Sequence, residues 1–113
     1  MVEILRKSSE ELTKKDCYNM TRGAEIKSVK DIEDGTIINP VKFVIFNDVK
    51  EDGEVAEILS IMDVTGAVCS TQSKTFKGSF LEIVELMEGE DFEIKKLSGT
   101  TKAGRPYVNC TLA

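Results

Sequence analysis

Between Glu25 and Leu112 the apolar residues come in short runs that alternate with polar ones, and the pattern is broken once by a stretch where they recur at helical spacing. Period-two alternation bounded by turn residues makes half-buried strands, so the chain is restricted to a β-rich fold with a helix set among its strands. The first run covers residues 26–32 and closes on Glu33-Asp34-Gly35. Residues 41–46, entered from Pro40 at a strand edge or start, form the strongest strand, and a charged turn follows from Asn47 to Gly53. Residues 55–62 then fold back through Asp63-Val64-Thr65-Gly66 onto residues 67–70 as a hairpin. Residues 92–97 and 106–112 make a last hairpin around the tip 98–105.

Two helices are predicted. Ser8 with Glu11, or Thr13 with Asp16, can form a capping box, and Gly23 is a natural stop, which places a helix at residues 9–22. Its apolar residues Leu12, Cys17, Tyr18 and Met20 are sparse, so it packs on a larger body instead of forming the core. The second helix is signalled by Ser79 and Glu82, preceded by Thr75, Phe76 and Gly78, and ends near Gly89. Phe76, Phe80, Ile83, Val84 and Met87 share one of its faces, which is expected to pack into the core.

The resulting order, with a helix between the third strand region and the last hairpin, matches a five-stranded Greek-key barrel of the oligonucleotide-binding type whose helix lies between strands 3 and 4. A generic α+β sheet fits the same order. At 113 residues, with no repeat or linker, the chain is read as one domain: 1–23 as an N-terminal helical extension and 24–113 as the barrel.

Composition narrows the function. Histidine is absent, which removes the commonest general base near neutral pH and the commonest zinc ligand. The sequence holds no phosphate loop, HExxH, EF-hand or nucleophile-elbow pattern, so neither an enzyme nor a cofactor or metal protein is expected. Cys17, Cys69 and Cys110 are odd in number, widely spaced and set among apolar neighbours, which reads as buried thiols in a reducing compartment. No apolar run approaches the roughly 20 residues of a membrane span, and the first residues do not form a signal peptide, so a cytoplasmic protein is expected.

The net charge of −5 counts against a nucleic-acid ligand, but the acids are clustered. One block is Asp48, Glu51, Asp52, Glu54 and Glu57, and another runs from Glu82 through Glu85, Glu88, Glu90 and Asp91 to Glu93. From Lys95 onward the charged side chains are Lys95, Lys96, Lys102 and Arg105. In strand 106–112, alternation turns Val108, Cys110 and Leu112 to the core and Tyr107, Asn109 and Thr111 outward, which sets an aromatic ring among cations. Single strands need that pairing, because bases stack on rings while cations track phosphates. Tyr107 is equally consistent with an ordinary amphipathic strand residue, and the lysines with a soluble edge. Lys42 beside Phe43 or Phe46, and Lys74 and Lys77 among Ser70, Thr71, Ser73 and Thr75, could extend the groove. Val2, Ile4 and Leu5 can pack internally or against a second subunit.

The run from Ile94 to Leu112, with its Lys102-Ala103-Gly104-Arg105 tip and aromatic-led final strand, resembles the last hairpin of small phage-type single-stranded-DNA-binding proteins with an oligonucleotide-binding fold. Residues 16–21 and 75–84 look similar in that setting. The resemblance implies a protein that coats and protects single strands in phage DNA replication or recombination with little sequence preference, in the host cytoplasm, with Lys102, Arg105 and Tyr107 as matched binding positions. Bacterial relatives recruit partners through an acidic tail, which this sequence, ending at Thr111-Leu112-Ala113, is not expected to do; the acidic surface 82–91 would recruit replication or recombination proteins instead. The competing reading is an acidic protein-interaction module or inhibitor of a host nucleic-acid-processing enzyme, its acids mimicking nucleic acid.

Overall fold

The computed structural model describes residues 2–8 and 12–113. Along the chain run β1 (Val2–Lys7), α1 (Lys14–Thr21), β2 (Lys27–Ser28), a 3-10 turn at Val29–Asp31, β3 (Ile37–Ile38), β4 (Pro40–Val49), β5 (Val55–Asp63), β6 (Val68–Thr71), α2 (Lys74–Met87), β7 (Ile94–Thr100) and β8 (Pro106–Leu112). The strands form a five-stranded sheet in the order β1-β4-β5-β6-β2 and a three-stranded sheet in the order β3-β7-β8. All pairings are antiparallel except β2 with β6. A single residue, Asn39, separates β3 from β4, so one stretch of chain pairs first with β7 and then with β5.

The large sheet is covered on both faces, which explains why β4 reads as a continuous apolar run. Phe43 and Ile45 face a core with Leu59, Ile61, Phe76, Phe80, Ile94 and Cys110. Val44 and Phe46 face the other way, under Leu12 and Met20. Phe76 and Phe80, both fully buried, are the largest α2 contributions, and Phe80 meets Phe43 edge to face at 5.3 Å between ring centres. Burying rings of this size stabilises by about 1.5–3 kcal/mol each.

Turn chemistry fixes the hairpins. At the β7–β8 tip the Thr101 amide donates to the Arg105 carbonyl at 2.9 Å and the Gly104 amide to the Thr101 carbonyl at 2.8 Å, with Gly104 at φ 86°. That left-handed position after a type I turn is open to glycine at little cost. The same bonding pattern recurs at Lys50–Glu54 and at Asp63–Ala67, where the Asp63 carboxylate also accepts from the Thr65 and Ala67 amides.

Several expectations are corrected. The N-terminal extension is not wholly helical, because residues 2–7 form β1 at the edge of the large sheet against β4. The first helix starts at Lys14 under a Thr13–Asp16 capping box. Ser8 instead accepts from the Phe43 amide at 3.0 Å, and residues 9–11 of the expected helix lie outside the described residues. The strand expected at 26–32 shrinks to Lys27–Ser28, since Val29 turns fully into the core and begins the 3-10 turn. The second helix starts at Ser73, whose hydroxyl accepts from the Phe76 amide, six residues before Ser79. Phe76, already on the expected apolar face, lies in the helix's first turn and packs into the core with Phe80.

Among the described residues no backbone ladder joins β6 to β8, so the two sheets are not closed into a barrel. The protein is β-rich with two helices, α1 lying outside the large sheet and α2 beside β8. Among the described residues no helix is long and apolar enough to cross a membrane.

Candidate nucleic-acid interface

The pleat of the last hairpin sorts its side chains. Lys96, Ser98 and Thr100 stand opposite Cys110, Val108 and Pro106 on one face, and Lys95, Leu97 and Gly99 stand opposite Thr111, Asn109 and Tyr107 on the other. Val108 and Cys110 turn inward as expected. Leu112, expected in the core, is 49% exposed and lies in a shallow groove beside Ile83, Leu86 and Met87 of α2. Tyr107 is 39% exposed. Its ring is held in place by the missing side chain of Gly99, over which its outer atoms lie. Lys102 and Arg105 are exposed on the tip, positioned by the turn, with the Arg105 amide further tied to the Thr101 hydroxyl at 3.1 Å.

Between this hairpin and the end of β6, where the two sheets fail to pair, lies a groove of about 840 Å³. One wall is Thr71, Gln72 and Ser73, and the other is Ser98, Thr100, Pro106 and Val108, with Ser28 and Lys30 at the end; Gly99 and Tyr107 form a lip. None of its lining residues is acidic. The first turn of α2 opens onto it, beginning at Ser73 and free of acidic side chains. A helix start carries unsatisfied amides and the positive end of the helix dipole, both favourable to an anion. The Ser73 hydroxyl spans the gap by donating to the Val108 carbonyl at 3.2 Å.

Among the described residues, Lys30, Lys74, Lys95, Lys102 and Arg105 form no ion pair. Arg6, Lys14, Lys15, Lys27 and Lys50 form none either, but of all these cations only Lys30 lines the groove, with Lys74 beside Ser73 and Lys102 and Arg105 on the adjoining tip. Lys30, Ser28 and Gln72 were not anticipated, and for Lys30 the reason is specific: it sits in the segment expected to be strand, and the 3-10 turn is what carries it to the groove.

Other expected positions are corrected. Lys77 is 7% exposed and donates to both the backbone carbonyl and the carboxylate of Glu57 at 3.0 Å. Lys96 is 3% exposed and donates to the Ile32 carbonyl at 2.7 Å and to Asp34 at 2.8 Å. Both lysines are held by these partners; Lys96 nevertheless lines the groove, whereas Lys77 does not. Phe46 and Phe43 are both buried, on opposite faces of β4, because each face has its own cover. Lys42 is partly exposed but pairs with Asp16 at 2.9 Å, tying α1 to β4.

The Lys96 ammonium and the Ser98 hydroxyl hold the Asp34 carboxyl below its ordinary value, as the Lys42 ammonium and the Thr13 backbone amide do for Asp16. Burial pushes Cys69 and Cys110 up to about 11, and Asp63 adds to the shift at Cys69. Among the described residues no cluster of three or more His, Cys, Asp or Glu side chains is placed to hold a metal ion. Comparison with protein-family models, with curated proteins and with solved structures returns no match.

Proposed function

We propose that the chain is a single-stranded-DNA-binding protein of the oligonucleotide-binding type that coats single strands during replication or recombination. The observation that carries this reading is the acid-free groove at the start of α2, bordered by an exposed tyrosine, in a protein of net charge −5. None of the groove's lining residues is acidic, the nearby Asp34 carboxylate is matched by Lys96 and Ser98, and the unpaired cations Lys30, Lys74, Lys102 and Arg105 lie on it or beside it, so an acidic protein has here a surface that favours an anion. Phosphates would run along the groove past the α2 amides and these cations, while a base stacks on the outer face of Tyr107.

The connectivity supports a barrel ancestry. With the edge strands β1 and β2 set aside and β3 and β4 counted as one bent strand shared by both sheets, the order is three antiparallel strands, α2, and two more strands, and the groove lies along the seam between the third and the fifth. An oligonucleotide lying in that seam would bridge the two sheets.

The test is fluorescence anisotropy of a labelled oligo-dT across a salt series, with duplex DNA and single-stranded RNA as competitors. Salt-sensitive binding that single strands compete away and duplex does not is the expected result. Absence of binding at low salt overturns the reading and favours an acidic inhibitor or adaptor, whose acids at the β4–β5 turn and the end of α2 would face a basic partner.

A further inference from the structure

At the far end of α2 and β8 the chemistry reverses. Ile83, Leu86 and Met87 of α2 and Leu112 of β8 line an apolar groove of about 280 Å³, and Leu86 is 74% exposed. Met87 and Leu112 continue into a second hollow of about 300 Å³ bordered by Phe92, Asp91 and Glu93. Glu82 lines the first hollow, Asp91 and Glu93 the second, and Glu85, Glu88 and Glu90 are exposed at neighbouring positions of the chain. An exposed leucine in an apolar cleft ringed by acids is unlike the scattered apolar residues of an ordinary surface.

We infer that this groove docks a short basic segment of a partner protein, with leucine-like anchors in the cleft and lysine or arginine on its flanks. The acidic rim repels phosphate and anionic lipid, which excludes a nucleic acid or a membrane as occupant. A second copy of the chain is disfavoured because it too carries a charge of −5. A basic amphipathic segment satisfies both halves of the surface, by the mode in which an apolar helix stripe enters a groove and its charges meet the rim. The inference does not depend on strand binding. β8 links the two sites, with Tyr107 at one end and Leu112 at the other, about 17 Å apart at strand rise, so both can be filled together.

The probe is a labelled synthetic helical peptide of leucine and lysine, with leucine at positions i, i+3, i+4 and i+7, against a second peptide in which serine replaces every leucine. The expected result is saturable binding of the first peptide and at least tenfold weaker binding of the second. Leu86→Ser, and separately Glu82→Gln with Asp91→Asn, should each weaken the first peptide several-fold or more. Val55→Ser with Glu51→Gln should leave it unchanged, since Val55 is an exposed apolar residue within the other acidic block. Oligo-dT affinity measured on the same variants reports the strand-binding reading separately and should not move. Equal binding of the two peptides, or equal weakening by the Val55 and Leu86 variants, overturns the inference. So does a wild-type dimer in sedimentation that Leu86→Ser dissolves, because the groove would then be covered by a second copy.

Discussion

The ring of Tyr107 lies across Gly99, its partner on the neighbouring strand, so closely that a Cβ on Gly99 would stand 2.6 Å from the phenol oxygen and 2.7 Å from Cζ. An aromatic side chain over a cross-strand glycine shields the exposed backbone there and fixes the ring's plane. Gly99→Ala must therefore push the ring away, and because the atoms met are the outer end of a partly exposed side chain the cost should fall below that of an overpacked core site, at about 1 kcal/mol or less. Thermal or urea unfolding measures that. Tyr107→Ala should weaken oligo-dT binding by about 1–3 kcal/mol, and Tyr107→Phe much less, because stacking needs the ring and not the hydroxyl. Unchanged affinity in a folded Tyr107→Ala variant would remove the ring from the interface.

The lysines divide into two sets that a salt titration separates. Deleting one cation that neutralises a phosphate should reduce the slope of log K against log salt by about 0.7 for a single strand. Lys102→Ala, Arg105→Ala, Lys74→Ala and Lys30→Ala are expected to do so, since these side chains are exposed and unpaired among the described residues. Lys42→Ala should leave the slope as it is and loosen α1, because its charge is already matched by Asp16. A uniform effect across all five would show nonspecific attraction to total charge and no path along the groove.

Lys96 and Asp34 form an asymmetric pair, the lysine 3% exposed in its side chain and the aspartate 56%. Removing the aspartate strands a buried ammonium with the Ile32 carbonyl and no counter-ion, whereas removing the lysine leaves a carboxylate that water can solvate. Asp34→Asn should consequently lower the melting temperature more than Lys96→Met. The pair also predicts a pH dependence. Because the folded protein holds Asp34 below its ordinary value of 3.8, the stabilisation is complete above that value and is lost as pH falls through the depressed one. The melting temperature of the wild type should drop on acidification below pH 4, and Asp34→Asn should show a shallower drop.

What could be read from the residues was what local periodicity encodes. The hairpins at 55–71 and 94–112, the apolar face of α2 and the outward placement of Tyr107 all follow from alternation and turn residues within a dozen positions. Pairing at a distance was illegible. β1 is a strand only because β4 offers it an edge more than 35 residues away, and its own sequence, short and mixed, carries no alternation to announce that. The two buried lysines were misread for a related reason: Lys77 and Lys96 look like any surface lysine until Glu57 and the Ile32 carbonyl, which lie 20 and 64 residues away, close around them. Lys30 shows the converse, a cation overlooked because the strand pattern around it gave way to a turn driven by burial of Val29.

The three free thiols provide a check on how the core is closed. Cys69 and Cys110 are buried, one in the sheet and the other against α2, where its Sγ lies 3.9 Å from the Phe76 carbonyl. With both pushed up to about 11, neither presents appreciable thiolate at pH 8, and their burial blocks the reagent as well. Cys17 is partly exposed on α1. Iodoacetamide at pH 8 should therefore add one label to the native protein, at Cys17, and three after unfolding in guanidinium, counted by intact mass. Cys110 lies on the strand that forms one side of the proposed oligonucleotide groove and is also bonded to α2. Slow native labelling at Cys110 would therefore report opening of the α2–β8 packing, and saturating oligo-dT should slow it further. Equally fast labelling of all three thiols in the native protein would mean that α2 does not seal β8 in solution.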